Sequence, residues 1–468
     1  MLRLPVPSCR ACPTARVLLL VMLGLPAMPV FGADEEPPKE VAKKLDWAGL
    51  RTRLDAGQYA EAAAAADAII EQVQTVPRAP DFLLRCVDRI DALMRRGFAE
   101  FQLGKIDAAD KTFAAVVDVF KDRDFQKILS GLERSGGPKA VDPLIDLDLR
   151  VIELNNLQAA VAIERLRRLA NEVETDQAAA EPSGAKVDGV RQQLEALQGF
   201  LKSAADVRKA LEDRFDKGSS AIVSSPHKRA LMRRFHPELI AGITAYELSR
   251  LPFVVPPPET PRKPGRPWAG PDLFEFEGLG RAELLERCHA HLNAAEEAID
   301  EAIEAALPKG LSSGSPDKRI EANVLLLQLR LARCEVALRG GDMARAAKEL
   351  EAIFAIHEDM ARVRKATKSE NHPDLFLPLM FAAEVSAAEA DAIARAGKAD
   401  EARGVAARAA DELARAAALP LPEDHPRRRG LARIAGILAR QEARAEASVA
   451  TSDAADVAAR RVRRAVEA

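Results

Sequence analysis

Aromatic residues and cysteine are scarce in this sequence. Aromatic side chains make up 4% of the 468 residues, and there are five cysteines. A small secreted domain held together by disulfides carries many more cysteines in a shorter chain, so that class of protein is excluded. Alternating β-branched stretches are almost absent while alanine is abundant, a pattern that predicts helices and little else. We therefore expect an all-α fold.

The chain also lacks an excess of positive charge and a phosphate-binding loop. Its formal net charge is −3, whereas a domain that binds nucleic acid presents a basic face. The sequence contains no glycine-rich phosphate loop that ends in Lys followed by Ser or Thr. We expect a protein that is not an enzyme, holds no cofactor and does not bind nucleic acid.

The first 33 residues differ from the rest of the chain. Three arginines and no acidic residue precede an apolar run from Val17 to Leu25, which ends at Pro26. This is the layout of a secretory signal peptide. An uncleaved anchor is the alternative, but the run is shorter than the ~20 residues that a spanning helix needs. We expect export to the periplasm or beyond the cell, with no integral membrane span once residues 1–33 are removed.

Cys9 and Cys12 lie in this leader, and Cys86, Cys288 and Cys334 remain after it. Each of the three falls in an apolar helical stripe, where a free thiol packs as a small hydrophobic group. We expect buried core cysteines. One disulfide with a leftover thiol, or a bridge between two chains, is the alternative.

The sharpest candidate for a metal site is the cluster of Cys288, His289 and His291, with Glu296 and Glu297 downstream. Cys288 and His291 are three residues apart on a predicted helix, so both could reach one ion. However, Cys288 lies on the apolar stripe, and a tetrahedral site needs two further ligands that nothing nearby supplies. We expect a core cysteine beside surface histidines and no metal site.

Ser224, Ser225 and His227 combine a nucleophile type with a base type. Catalytic triads assemble side chains that are distant in sequence, so direct neighbours rarely have the required geometry. Ser225 followed by Pro226 is instead typical of a helix start. We expect no catalytic residue here.

A shared pattern occurs four times, namely a glycine at a predicted helix turn with an alanine five residues later. The four stretches are Gly57 to Ala62, Gly104 to Ala109, Gly341 to Ala346 and Gly397 to Ala402. The glycine permits a positive φ at the end of one helix, and the alanine lets the next helix approach closely. The pattern predicts stacked antiparallel helical hairpins.

These turns resemble those of the tetratricopeptide repeat (TPR) family, whose units are paired helices. The residues that match are Gly57, Tyr59 and Ala62 in the first copy, Gly97, Gly104, Ala109 and Phe113 in the second, and only the glycine and alanine in the other two. The turns are unequally spaced and farther apart than the family's unit of about 34 residues. The resemblance implies a diverged, irregular α-solenoid that binds a protein or peptide on its inner surface. It identifies no residue of a known binding pattern.

Two long helices are predicted from Pro143 to Val173 and from Val187 to Asp216. Along the second, apolar residues from Val190 to Phe215 follow a 3.5-residue period, with Arg208 at one seam position. A stripe of this kind fits a long antiparallel hairpin within the chain. It also fits a coiled coil between two chains, because one stripe does not identify its partner.

Prolines concentrate between residues 251 and 272, which predicts a linker or strap between two helical-hairpin regions, 34–250 and 273–468. Trp268 is expected to pin this strap to the helices. The strap's basic residues, together with residues 227–234 and 427–429, are interpreted as solvated, with docking onto an acidic partner or anionic surface as the alternative.

The sequence as a whole favours an exported, non-enzymatic protein-binding or scaffolding protein of a bacterial envelope with TPR-like repeats. One alternative is a structural envelope component that self-associates through the stripe on the second long helix. The other is a metal carrier or enzyme that uses Cys288 and His291.

Overall fold

The computed structural model describes residues 45–73, 81–135, 138–175, 184–215, 224–258, 270–364, 372–421, 431 and 434–439. Its described regular structure is helical, and no strand occurs within these residues, which confirms the predicted fold class. The predicted leader, Trp268 and residues 427–429 lie outside the described residues.

Residues 434–439 are helical, and the α-helices whose bounds the structure describes come before them. They are α1 (Trp47–Asp55), α2 (Tyr59–Gln72), α3 (Phe82–Gln102), α4 (Ile106–Lys121), α5 (Arg123–Ser135), α6 (Pro138–Thr175), α7 (Gly184–Phe215), α8 (Pro226–Met232), α9 (Phe235–Ser249), α10 (Arg281–Ala306), α11 (Pro316–Gly340), α12 (Met343–Arg364), α13 (Phe376–Arg395) and α14 (Ala399–Ala417).

The chain divides into two compact units, Met1–Ala332 with Ile356–Thr367, and Arg333–Ala355 with Lys368–Ala468. In the first unit, helices that are consecutive in sequence pack on each other: α1 on α2, α2 on α3, α3 on α4, α6 on α7 and α9 on α10. In the second unit, α13 packs on α14. Packed helical hairpins are therefore the repeated element of the fold.

The four predicted glycine turns are confirmed. Their φ angles are positive: 68° at Gly57, 74° at Gly104, 82° at Gly341 and 82° at Gly397. After each glycine, the next backbone N–H donates to the carbonyl five residues earlier, which is the Schellman closure of a helix end. These bonds join Gln58 to Arg53, Lys105 to Glu100, Asp342 to Ala337 and Lys398 to Ile393. The alanine that follows each turn is buried, as predicted.

Helices α3 and α4 of the second hairpin approach each other closely. Gly97 on α3 lies directly against the ring of Phe113 on α4, and a Cβ added at Gly97 would come within 2.5 Å of the Phe113 Cε1 atom. A glycine is therefore required here for close approach of two helices rather than for backbone conformation.

The two predicted long helices are α6 and α7. Helix α6 begins at Pro138, earlier than predicted, because proline at the first helical position loses no intrahelical hydrogen bond. The seam residues Val190, Leu194 and Leu197 are fully buried. Farther along, Ala204 and Leu211 share a core cluster with residues of α6 and α8. The stripe on α7 is thus covered within the chain.

Helix α9 is buried on every side. All residues from Phe235 to Ser249 are inaccessible to solvent, and α9 packs against α6, α8 and α10. Its apolar residues have no helical period, because a helix surrounded by protein needs no polar face.

The three cysteines that follow the predicted leader are buried thiols. Burial raises the pKa of the Cys86 thiol to about 11. The pKa of Cys334 is also raised by burial and by nearby carboxylates such as that of Glu349. These thiols pack as core groups, as the stripes predict.

Candidate functional site

A cleft of 370 Å³ lies between α4, α5, α6 and α7 in the first unit. Its size falls within the roughly 300–1,000 Å³ typical of ligand sites. The cleft is lined by apolar and polar side chains: Val117, Phe120, Gln126, Leu129, Ser130, Glu133, Leu144, Leu147, Asp148, Val151, Leu154, Asn155, Gln158, Ser203 and Arg214.

Helix α6 forms the apolar floor of the cleft. Leu144, Leu147, Val151 and Leu154 follow one another at spacings of three and four, so they lie on one face of the helix. Val117 and Phe120, from the last turns of α4, complete the floor. Because helical spacing aligns these side chains, the floor is an apolar strip rather than a scatter of contacts.

Helix α5 closes one side of the cleft. Asp122 caps its start, since the Asp122 Oδ1 accepts hydrogen bonds of 2.9 Å from the N–H groups of both Asp124 and Phe125. Phe125 is fully buried and anchors the helix, whereas Leu129, one turn later, lines the cleft. The cap and the buried ring therefore fix the helix that carries Leu129, Ser130 and Glu133.

Arg214, from the end of α7, joins two carboxylates at the edge of the cleft. Its Nη1 lies 2.5 Å from Asp148 Oδ2, and its Nη2 lies 2.5 Å from Glu133 Oε1. Burial raises the pKa of Asp148, an effect that the Arg214 cation opposes and the Glu133 charge adds to. With all three groups ionised, this edge carries one positive and two negative charges.

Amide side chains give the cleft hydrogen-bonding groups beside its apolar floor. Asn155 donates from Nδ2 to the Val151 carbonyl (2.8 Å), and Gln126 donates from Nε2 to the Phe120 carbonyl (2.6 Å). Gln158 also lines the cleft. Amides both donate and accept, so apolar and amide groups together suit a peptide segment, which presents side chains and backbone at once.

A second face of α6 is charged and closed. Arg150 makes two hydrogen bonds to the Asp91 carboxylate of α3, at 2.6 and 2.9 Å. Farther along the same face, the Arg167 Nε lies 2.5 Å from Glu247 Oε1 of α9, and neither side chain is exposed. Arg250 holds the other oxygen of Glu247 at 2.7 Å. These groups cross-link α6 to its neighbours inside the protein.

Glu153 and His227 face each other within this charged region. The His227 Nε2 atom is 3.9 Å from Glu153 Oε1, and the His227 ring meets that of His236 edge to face. Burial raises the pKa of Glu153 to about 7, although the Arg95 cation opposes the rise. Burial, and secondly the Lys228 cation, lowers the pKa of His227 to about 3. Both residues therefore favour their neutral forms in the folded protein.

The structure gives the side chains of Ser225 and His227 separate surroundings. Ser225 is the N-cap of α8 and Pro226 follows it, which confirms the predicted helix start. The Ser225 hydroxyl donates to Glu321 Oε2 at 2.7 Å, while the His227 ring faces Glu153. The two side chains have different partners and form no nucleophile–base pair.

The structure also separates the members of the Cys288 cluster. Cys288 is fully buried, as the apolar stripe predicts. The His291 Nδ1 atom instead lies 2.7 Å from Glu238 Oε2 of α9, and Glu296 pairs with Arg330 at 3.1 Å. Within the described residues, no group of three His, Cys, Asp or Glu side chains could hold a metal ion. Sequence spacing missed Glu238 because it belongs to a different helix.

No known protein family matches this chain, and no curated protein matches it. None of the helices in the described ranges has the length and apolar character needed to cross a membrane. The helical hairpins and the cleft are therefore the observations that bear on function.

Proposed function

We propose that this protein is an exported, non-enzymatic binding protein that holds a peptide segment of a partner in the cleft between α4 and α7. The observation that carries the proposal is the cleft itself, which combines ligand-site volume, an apolar floor on α6 and amide groups along the same helix. Its lining side chains are apolar groups, amides, two hydroxyls, two carboxylates and one guanidinium, a mixture that suits binding.

The proposal includes a diverged TPR-like architecture. Two features support this architecture: four Schellman-closed turns, each followed by a buried alanine, and the close approach of Gly97 to Phe113. Stacked helical hairpins present extended surfaces that suit protein binding. The cleft is a described part of such a surface, and it has ligand-sized volume.

Export rests on the predicted signal peptide in residues 1–33. The test is the mass of the protein purified from its native host. We expect a mature chain that begins near residue 34 and appears in the periplasmic or extracellular fraction. A full-length chain in the cytoplasmic fraction would contradict this part of the proposal.

Site-specific photo-cross-linking tests the binding role. A photoreactive phenylalanine analogue replaces Ser203, an exposed residue of α7 that lines the cleft. The matched control carries the same group at Gly199, which is exposed one turn earlier on α7 and does not line the cleft. We expect light-dependent adducts with an envelope protein at position 203 and none at 199.

Equal adducts at both positions, or none at 203 under several salt conditions, would refute the proposed site. Self-association through α7 gains no support, because the seam residues Val190, Leu194 and Leu197 are buried inside the chain.

A further inference from the structure

We infer that the cleft accepts a peptide segment in which an apolar side chain is followed closely by a basic one, Arg or Lys. This inference rests on the proposed function and specifies its ligand. It follows from the charges at the edge of the cleft together with the strip of apolar side chains beside them.

The edge of the cleft carries an unbalanced negative charge. Arg214 is the one basic residue among the lining side chains, whereas both Asp148 and Glu133 are acidic. Because the guanidinium already contacts both carboxylates, it cannot neutralise both. A second cation would complete the charge balance, and a charge-assisted hydrogen bond from it to a carboxylate is among the stronger polar contacts.

The position of Asp148 makes a ligand cation more favourable than a solvent ion. The Asp148 side chain is 16% exposed, against 51% for Glu133. An ion pair that is shielded from water gains more than one on the open surface, since the local dielectric constant is lower. A basic side chain that reaches Asp148 from the cleft would be shielded further by the rest of the bound peptide.

The apolar strip sets the second requirement. Leu147 on α6 precedes Asp148 directly, and Leu144 and Val151 continue the floor on either side. A ligand whose basic group pairs with Asp148 therefore places its neighbouring residues over leucine and valine side chains. Burying an apolar residue there adds affinity through the hydrophobic effect.

An acidic ligand is disfavoured by the same geometry. The only cationic partner in the lining is Arg214, which the two carboxylates already hold. A third carboxylate would meet two like charges at close range. A neutral peptide would gain the apolar contact and leave the charge imbalance in place.

A matched set of peptides tests the inference. Three acetylated heptapeptides share the sequence Ser-Leu-Leu-Xaa-Leu-Ser-Gly, with Arg, Gln or Glu at Xaa, and carry the same uncharged fluorophore. Their affinities for the full mature chain are measured by fluorescence anisotropy at low and at physiological salt. We expect the Arg peptide to bind about tenfold more tightly than the Gln peptide, an advantage that salt reduces, and the Glu peptide to bind most weakly.

Variants that each remove one negative charge test which carboxylates cause the preference for the Arg peptide. Asp148→Asn and Glu133→Gln should each reduce the ratio of Arg to Gln affinity toward one. Asp206→Asn removes an equal charge from an exposed position of α7 outside the cleft and should keep the ratio of the wild type. Thermal melts verify that each variant is folded, and Glu133→Gln, which alters a half-exposed residue, serves if Asp148→Asn unfolds the protein.

The outcomes separate the inference from the proposed function. Equal affinity for all three peptides would overturn the inference and leave the proposed peptide site standing. Tightest binding of the Glu peptide would also overturn it, as would an Arg preference that Asp148→Asn and Glu133→Gln leave unchanged. Failure of all three peptides to bind would overturn the inference together with its premise.

Discussion

Helix α6 has one face with an open apolar cleft and another with buried charges. On the first, Leu147 and Val151 line a cavity of 370 Å³. On the second, Arg150 and Arg167 are paired with carboxylates of other helices, where they are almost fully enclosed. The two faces belong to one helix, yet a ligand can enter only the first.

The difference indicates which residues serve the fold and which are free for binding. A buried charge must keep its partner, because leaving it unpaired costs several kcal/mol. A half-exposed side chain at the edge of the open cleft, such as Glu133, remains hydrated, so changing it costs little stability. Perturbed pKa values alone would have pointed to Glu153 and His227, but Glu153 lies on the closed face of α6 and His227, on α8, is buried against it.

Arg167→Met gives the largest expected effect. It leaves Glu247 buried with Arg250 as a remaining cation. We expect the free energy of unfolding, measured by urea denaturation, to fall by about 3 kcal/mol, the lower end of the cost of breaking a buried pair. Arg167→Met combined with Glu247→Gln removes both charges, keeps an acceptor for Arg250 and should recover part of the loss. A single variant as stable as the wild type would mean that the charged face does not hold the helices together.

Gly97→Ala tests the packing that positions α4 along the cleft. The added methyl group would press on the Phe113 ring, so we expect a loss of about 1–3 kcal/mol in chemical denaturation. Gly199→Ala is the control, because nothing lies within 4 Å of a Cβ added there. It should be neutral or stabilising, since alanine favours a helix more than glycine does. Equal effects of the two substitutions would contradict the close approach.

The buried His227 predicts a loss of stability in acid. Its pKa is about 3 in the folded chain against an ordinary 6.5, so below pH 6.5 the unfolded chain binds the extra proton. Between pH 7 and pH 5 the free energy of unfolding falls by about 2 kcal/mol because of His227. The substitution His227→Gln should abolish this part of the fall. An unchanged profile would mean that His227 is protonated normally in the folded state.

The ionisation of Glu153 has the opposite effect on the pH dependence of stability. Its pKa is about 7 in the folded chain against an ordinary 4.5, so its neutral form supports the fold fully below pH 4.5, and this support is lost as pH rises from 4.5 through 7. Glu153→Gln should remove this fall in stability, which lies in the pH range where the contribution of His227 rises with pH. The loss of stability in acid should therefore be steeper in Glu153→Gln and shallower in His227→Gln than in the wild type. The opposite result would contradict the burial of this pair.

The smallest expected effect comes from the ion pair at the cleft. Glu133→Gln breaks its contact with Arg214, but the Glu133 side chain is half exposed, so we expect a change below about 1 kcal/mol by urea denaturation. Comparison with Arg167→Met shows how much an Arg–Glu ion pair stabilises the protein when it is exposed and when it is buried. A loss of stability as large as that caused by Arg167→Met would show that the two environments do not differ.

The sequence predicted the parts of the fold that depend on local residues. A positive φ requires glycine in most cases, so Gly104 and Gly397 marked helix ends without any knowledge of the partner helix. Apolar spacing likewise identified α6 and α7 because each has a distinct buried stripe. Helix α9 was not predicted, since a helix buried on all sides has no periodic polar face.

Local sequence patterns could not predict the candidate site. Val117, Leu147 and Arg214 line one cleft but lie on three helices, and no spacing rule joins residues so far apart in sequence. The pairing of His291 with Glu238 is of the same kind. Local clusters such as Ser225 with His227 were weighed instead, and the fold gives those side chains separate partners.

The most direct test of the central claim is to fill the cleft. Val151→Trp places an indole on its floor, whereas Asp206→Trp places one at an exposed position of α7 outside it. Binding of the Arg-containing heptapeptide is then measured for both variants, with helicity by circular dichroism as the check on folding. The account predicts saturable binding to the wild type and to Asp206→Trp, and its loss in folded Val151→Trp. Undiminished binding to Val151→Trp would show that the cleft is not the peptide site.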